Sequence, residues 1–283
     1  MYLSRIEINP RRRETMRALA ALQSFHAVIT KTLDGCSGKS GYDGVRDLLW
    51  RIDSMNRDGR SAIYVLMQSV RPPDFNPLIR QFGWPDDEKP ERRGEIRDYA
   101  SFLSGLWAGQ CWRFRLRANP VHSVVGAEEG GKRGDLKAHV TVGRQKKWLV
   151  DRQERLGFRI LPLDAWRPGR DSAQTAYDGS IEEATGEDLK GASITHIDKK
   201  QSGEGEKLAD KLALEVMHRE TVNFFKFDRD NPQKKHRLTL SMVTFEGLLE
   251  IKDAARLADH MRKGVGRAKA YGCGLLTLAP AQR

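Results

Sequence analysis

Residues Cys111–Val121 constrain the fold more than any other stretch of this chain. Trp112, Phe114 and Leu116 alternate there with Arg113, Arg115 and Arg117, and in a strand successive side chains point to opposite faces. One face must be covered by a core, and the other carries three guanidiniums. The segment therefore requires a sheet with something packed against it. The chain before it supplies strands and a helix of its own. Tyr2–Asn9 alternates, and Thr15–Leu33 places Ala18, Leu22, Phe25, Ile29 and Leu33 on one helical stripe. Asp47–Ser54 and Ser61–Val70 are β-rich runs joined by an Asn-Arg-Asp-Gly turn. Trp84–Arg97 has the charge, proline and glycine of a loop, and Tyr99–Leu103 is expected to supply the last strand of this half.

After the arginine strand the same sequence of elements recurs. Gln145–Leu156 has helical spacing, Gly157–Leu163 is a strand, and Thr221–Asp228 and Arg237–Ile251 are further strands. Asp253 is an N-cap for a helix running to Lys263, with Ala254, Leu257, Ala258 and Met261 as its core face; Gly264 ends it, and Gly274–Ala279 closes the series. Asp164–Glu206, rich in glycine, serine and charge, reads as an insertion. The order βαββαβ twice over predicts an α+β protein of two tandem ferredoxin-like (RRM-like) domains. Residues 1–108 form the first. Residues 109–283 form the second, with the insertion near 164–206 and a C-terminal glycine-rich loop.

Charge narrows the partners. Lysine and arginine number 49 against 38 acidic residues, a net charge of +11, which favours a polyanion. The sequence has no apolar run near the ~20 residues of a membrane span. The N-terminus, MYLSRIEINP followed by arginines, lacks the core and cleavage site of a secretory signal, so a cytoplasmic location with no membrane contact is expected. Cys36, Cys111 and Cys273 form no CxxC pair and are expected as buried thiols. The seven histidines include no HExxH, and no phosphate-loop or dinucleotide fingerprint is present. Neither a metal nor a cofactor is expected. The segment Gly264-Val-Gly-Arg-Ala-Lys-Ala-Tyr-Gly-Cys-Gly offers an anion nest, with Gly264 and Gly266 admitting a close backbone approach and Arg267 and Lys269 reaching phosphate oxygens. The same glycines also suit a plain helix-to-strand turn.

Several linked motifs carry a resemblance. They are Arg113-Phe-Arg-Leu-Arg-Ala-Asn-Pro120, Gly131-Lys-Arg133, Trp148-Leu149 leading to Gly157-Phe158, Phe245-Glu-Gly247, and the glycine loop, in that order. Together they resemble the CasE family, the CRISPR RNA endoribonucleases of type I-E Cascade complexes, nearly end to end apart from the insertion. The resemblance implies a metal-independent enzyme that binds the CRISPR repeat hairpin and cleaves pre-crRNA at its 3′ base. It further implies attack by a ribose 2′-OH, leaving 2′,3′-cyclic phosphate and 5′-OH ends, and retention of the crRNA alongside other Cascade subunits.

His26 matches the family's histidine on the first helix, and an imidazole titrating near pH 6.5 suits proton transfer as general acid or base. Family members can carry a tyrosine three residues earlier, where this chain has Gln23. The family also places a cation on the strand Thr221–Asp228 or the turn after it, which implies Lys226 first and Arg229 second, to stabilise phosphorane charge. Arg113, Arg115, Arg117, Lys132, Arg133, Gly264, Gly266, Arg267 and Lys269 are the candidates for RNA binding. Two rivals remain. One is a non-catalytic hairpin-binding subunit in which His26 only packs. The other is a two-histidine phosphoesterase built on His139-Val-Thr141, whose only echo, His236-Arg-Leu-Thr239, has one residue too many.

Overall fold

The structure, a computed structural model, describes residues 1–34, 48–57, 60–124, 135–165, 202–227 and 235–281. Its first half runs β1 (Tyr2–Ile8), α1 (Arg13–Ala20), α2 (Leu22–Asp34), β2 (Leu48–Arg57), β3 (Arg60–Ser69), α3 (Asn76–Phe82), α4 (Pro90–Arg93), β4 (Glu95–Asp98) and α5 (Tyr99–Ser104). The strands lie in the order β2-β3-β1-β4, every neighbour antiparallel. Numbered by chain position this is the 4-1-3-2 order of a ferredoxin-like sheet. Ile6, Ile8, Trp50, Val65 and Met67 meet Leu22, Phe25 and Ile29 of α2 in one buried cluster, each large side chain worth about 1.5–3 kcal/mol.

Two expectations need correction here. The helix expected over Thr15–Leu33 is two helices meeting at Ala21 (φ −125°, ψ 73°). No proline or glycine marks the break; it follows from packing, since α1 is tied to the end of α3 by Thr15 Oγ1 donating to Phe82 O at 3.3 Å, while the Phe25 ring of α2 stacks on Phe82 at 5.1 Å. The last strand of this sheet is β4, which begins inside the stretch expected as a loop and ends one residue beyond it, and Tyr99–Leu103 is helical instead. Asp98 caps that helix, its Oδ1 accepting from Ala100 N at 2.9 Å, and Tyr99 and Leu103 fall one turn apart on its buried side.

The second half runs β5 (Cys111–Ala118), β6 (Val121–Val124), β7 (Asp135–Ala138), α6 (Val142–Val150), α7 (Gln153–Leu156), β8 (Phe158–Ile160), α8 (Ser202–Ala209), β9 (Leu214–Phe227), β10 (Lys235–Ile251), α9 (Ala254–Lys263) and β11 (Leu276–Pro280). The sheet order β11-β5-β10-β8 repeats the 4-1-3-2 pattern, with β9 added as a hairpin partner of β10 and β6–β7 as a separate ribbon. Strand β9 begins at Leu214, well before the expected Thr221. Asp253 caps α9 as expected, accepting from Arg256 N at 2.9 Å. Most of the stretch read as an insertion, residues 166–201, lies outside the described residues, as does Cys36. Cys273 is fully buried, with burial pushing its thiol up to about 12, whereas Cys111 is only half-buried.

The apolar face of β5 packs as its pattern requires. Trp112, Phe114 and Leu116 are buried with Trp148, Leu149, Leu257 and Met261. Tyr99, Leu103 and Leu106 join the same core, so the packing crosses the expected division after residue 108.

The other face of β5 turns toward the first sheet and its neighbours. Along β2 alternation sends Trp50 to the helices and Arg51 and Asp53 to the opposite side. Arg51 is fully buried; its Nε and Nη2 meet the Asp53 carboxylate at 2.8 Å each. Its Nη1 donates to the carbonyls of Arg115 (2.9 Å) and Leu275 (3.1 Å), and its Nη2 to Thr277 Oγ1 (3.0 Å). Arg115 lies 3.4 Å from Asp53 and pairs with Glu246, and Arg117 pairs with Glu220. Gln68 Nε2 adds bonds to the carbonyls of Met261 (3.0 Å) and Arg262 (3.1 Å) at the end of α9.

The two halves also meet through glycine. Gly264 has φ +76°, and a Cβ there would fall 2.6 Å from Leu49 Cδ2. Gly264→Ala is therefore expected to cost about 1–3 kcal/mol in backbone strain, with the clash added. Its urea midpoint should fall accordingly; an unchanged midpoint would show that the halves can part locally.

Candidate nucleic-acid interface and catalytic helix

His26 sits on α2 at the margin of the buried stripe. The helix buries Leu22, Phe25 and Ile29, which leaves His26 half-covered and Gln23, one turn earlier, exposed. The imidazole lies parallel to the Trp50 ring, centroids 6.4 Å apart and planes 16° from parallel. Burial holds its pKa below the ordinary 6.5, and its Nδ1 is enclosed with no hydrogen-bond partner among the described residues. Such a group is neutral near pH 7.

The glycine loop leads from this helix to a second region. Val265 N donates to Gly274 O at 2.9 Å, closing the loop at its base, and Gly274 N donates to Arg117 O at 2.7 Å. Tyr271 and Ala268 pack against the cluster that contains Phe25 and Trp50. A Cβ on Gly272 would fall 2.9 Å from the Trp50 ring, and one on Gly266 would fall 3.3 Å from the Trp148 ring. The loop thus touches the tryptophan beneath His26 at one end and the tryptophan of α6 at the other. Lys269 is half-buried, its Nζ donating to Lys263 O, and burial lowers its pKa. Arg267 is exposed.

At the Trp148 end lies a cleft of about 940 Å³, lined by Arg267 with His122, His139, Arg144, Lys147 and Arg152 among others. Arg152 covers the Trp148 ring at 4.3 Å from its centroid. Among the described residues the cleft has one acid in its lining, Asp151, which is bound by Lys147. Cationic groups in a concavity concentrate field and suit an anionic ligand.

Of the expected site residues, the structure gathers His26, Gly264, Gly266, Arg267 and Lys269 around this loop. On the guanidinium face of β5, Arg115 and Arg117 are turned onto Asp53, Glu246 and Glu220 with side chains only 18% and 8% exposed, and Arg113 is half-buried on the same face. Lys226 lies within β9 opposite His236, with its side chain outside the described residues. Lys132, Arg133 and Arg229 lie wholly outside them. The sequence reading missed His122, Arg144, Lys147 and Arg152. The last three had a signal, falling three to five residues apart along one helical stretch and its end; His122 had none, because it meets His139 only through the β6–β7 pairing.

The hydroxyl of His139-Val-Thr141 caps α6, accepting from Arg144 N at 3.3 Å. Thr239, in the echo of that motif, donates to Asn223 Oδ1 at 2.7 Å. Both threonines thus have structural partners. Among the described residues no group of three or more His, Cys, Asp or Glu is placed to hold a metal, and no helix is long and apolar enough to cross a membrane.

Two ferredoxin-like sheets in tandem, with a glycine loop packed between a histidine-bearing helix and a cationic cleft, define the class of the protein. The chain belongs to the CRISPR associated protein family, whose model matches residues 1–280. It is 28% identical over 280 residues, 99% of this chain and 100% of the relative, to the CRISPR-associated endoribonuclease Cse3 of Thermus thermophilus. A shorter match, 54% identical over 41 residues and covering 14% of this chain and 21% of the relative, is to the CRISPR system Cascade subunit CasE of Escherichia coli. The fold is shared with a solved structure of CRISPR endoribonuclease Cse3 bound to 19 nt RNA (TM-score 0.61, 23% identity, 99% of this chain and 98% of that one). It is shared also with the Thermus thermophilus Cse3 structure bound to an RNA representing a pre-cleavage complex (TM-score 0.59, 24% identity, 99% and 98%).

Proposed function

We propose that this protein is a CRISPR RNA endoribonuclease that binds the hairpin of a CRISPR repeat, cleaves pre-crRNA at the 3′ base of that hairpin, and stays on the product with other Cascade subunits in the cytoplasm. The full-length likeness to a CRISPR-associated endoribonuclease supports the activity. The observation that carries the reading is the loop Gly264–Gly274, which rests on Trp50 under His26, reaches Trp148, and places its own Arg267 in the cationic cleft. An RNA held by the cleft is led along the loop to the histidine.

The reaction is a transesterification. The upstream 2′-oxygen attacks phosphorus, the P–O5′ bond breaks, one proton leaves the 2′-hydroxyl and one is gained by the departing 5′-oxygen. His26, neutral in the free protein, moves one of these protons. Lys226 or Arg229, and the loop cations Arg267 and Lys269, stabilise the charge that builds on the phosphorane. With Gln23 in place of a tyrosine, no phenol on the preceding turn shares the proton traffic.

A second reading, a hairpin-holding subunit without catalysis, is favoured by the stacking of His26 on Trp50. One experiment separates the two. Protein incubated with the repeat RNA of its own genome in EDTA is expected to give an upstream fragment ending in 2′,3′-cyclic phosphate and a downstream fragment beginning with 5′-OH. Intact RNA bound by the protein would leave the hairpin-holding subunit; cleavage that needs a divalent ion and leaves a 3′-OH would reject the mechanism.

A further inference from the structure

The cleft holds two imidazoles in contact. His122 on β6 and His139 just after β7 have ring centroids 4.6 Å apart, planes tilted by 32°. The second ring is held from its backbone: His139 N donates to Pro120 O at 2.9 Å, and Gln145 Nε2 donates to His139 O at 2.8 Å. His139 Nδ1 is enclosed and meets no hydrogen-bond partner among the described residues.

Among the described residues, most charges around the pair are cationic. Lys137 lies opposite His122 across the β6–β7 ribbon. Arg144 and Lys147 of α6, Arg152 beyond it and Arg267 of the glycine loop line the cleft with them. Arg219 of β9 donates to Val140 O beside the pair. Asp151 is the one acid of the lining among the described residues, and its carboxylate is held by Lys147 at 2.6 Å.

Rings in contact at this distance leave no room for a phosphate between them, so the pair is not arranged as an acid and a base flanking a reacting phosphorus. The His139 ring, half-buried beside a second imidazole and among fixed cations, resists protonation when the cleft holds no anion, and an anion reverses that balance. Resting on the RNA-binding reading above, we propose that His122 and His139 form a proton-coupled grip, in which an RNA phosphodiester entering the cleft is met by an imidazolium whose proton is taken up from solvent as the RNA binds. The His139 pKa in the free protein agrees: burial lowers it first, His122, Arg152 and Arg144 lower it further, and the opposing pull of Asp151 does not reverse the direction.

Linkage fixes the sign. A ligand that binds the protonated form more tightly takes up protons, and its affinity rises as pH falls. One proton taken up changes the dissociation constant by about tenfold per pH unit across the titration window.

The test measures binding of a repeat hairpin made non-cleavable by a 2′-deoxy sugar at the cut site, at fixed ionic strength, from about pH 7.5 to about pH 5.5, the range in which histidines titrate. Wild type is expected to bind at least about tenfold more tightly at the lower pH. His122→Gln and His139→Gln should each lose most of that gain, with thermal melts confirming that they remain folded. Calorimetry in two buffers of different ionisation enthalpy should show proton uptake for wild type and less for both variants. A pH-independent affinity in wild type, or a pH slope kept in both variants, overturns the grip while leaving hairpin binding intact. Failure to bind the hairpin at any pH overturns the RNA-binding reading itself, and the grip with it.

Discussion

His26→Ala is expected to lower the single-turnover cleavage rate of the repeat hairpin by about 10²–10⁴-fold, the usual range for a positioned proton-transfer group, while hairpin affinity stays within a few-fold. The two quantities separate because His26 lies on α2 and the cationic cleft lies beyond the glycine loop. Removing an imidazole at the edge of α2 leaves Phe25, Trp50 and Phe82 packed as before. The pH profile gives a further check. Burial sets the His26 pKa below 6.5, so if the neutral ring acts as base the rate climbs with pH through an inflection below that value and is flat above it. His26→Ala should erase the inflection. Full cleavage by the variant would remove His26 from the mechanism.

Asp53→Asn is expected to destabilise the folded chain by about 3–5 kcal/mol, the range for breaking a buried ion pair from one side. The carboxylate is 3% exposed and faces two guanidiniums, Arg51 at 2.8 Å and Arg115 at 3.4 Å. Asparagine keeps the shape and loses the charge, leaving Arg51 buried with no counter-ion. Burial alone would raise the Asp53 pKa, but Arg51 and Arg115 overcome it and hold it below 3.8. For a depressed carboxylate the stability is fully present above its unfolded pKa and is lost as pH falls through the folded one. Wild type should therefore lose this contribution only below about pH 4, and the variant should lack it at every pH. Urea midpoints at neutral and acid pH measure both. The double variant Arg51→Met/Asp53→Leu should recover only part of the loss, because the carbonyls of Arg115 and Leu275 would still lose their donor, at about 1–3 kcal/mol. A neutral effect of Asp53→Asn would show that water reaches the network.

Where a single element decides its own face, the sequence could be read. The alternation of β5 gave its buried side, and Asp253 and Gly264 bracket α9 as their chemistry requires. The repeat of βαββαβ also pointed to both sheet orders. What escaped depended on distant partners. The break at Ala21 answers to Phe82 on another helix, and nothing local marks it. Arg115 and Arg117 looked free because their acids lie on other strands, at Asp53, Glu246 and Glu220. Tyr99–Leu103 was misread although Asp98 offered a capping signal. On the site side, the family resemblance pointed to His26 and the glycine loop, whereas the cleft beside Trp148 is assembled from a β-ribbon, a helix and that loop, and only the fold brings them together.

The Arg51 guanidinium makes the two halves depend on each other. It completes its bonding only with carbonyls at Arg115 and Leu275 and the Thr277 hydroxyl, all far along the chain. Residues 1–108 expressed alone would therefore lose these Arg51 bonds and bare Leu49 and Leu66 to water, so the fragment should precipitate rather than fold. For the same reason the histidine helix is not a transferable cassette: a chimera that imports it must bring the carboxyl-terminal strand of its own parent.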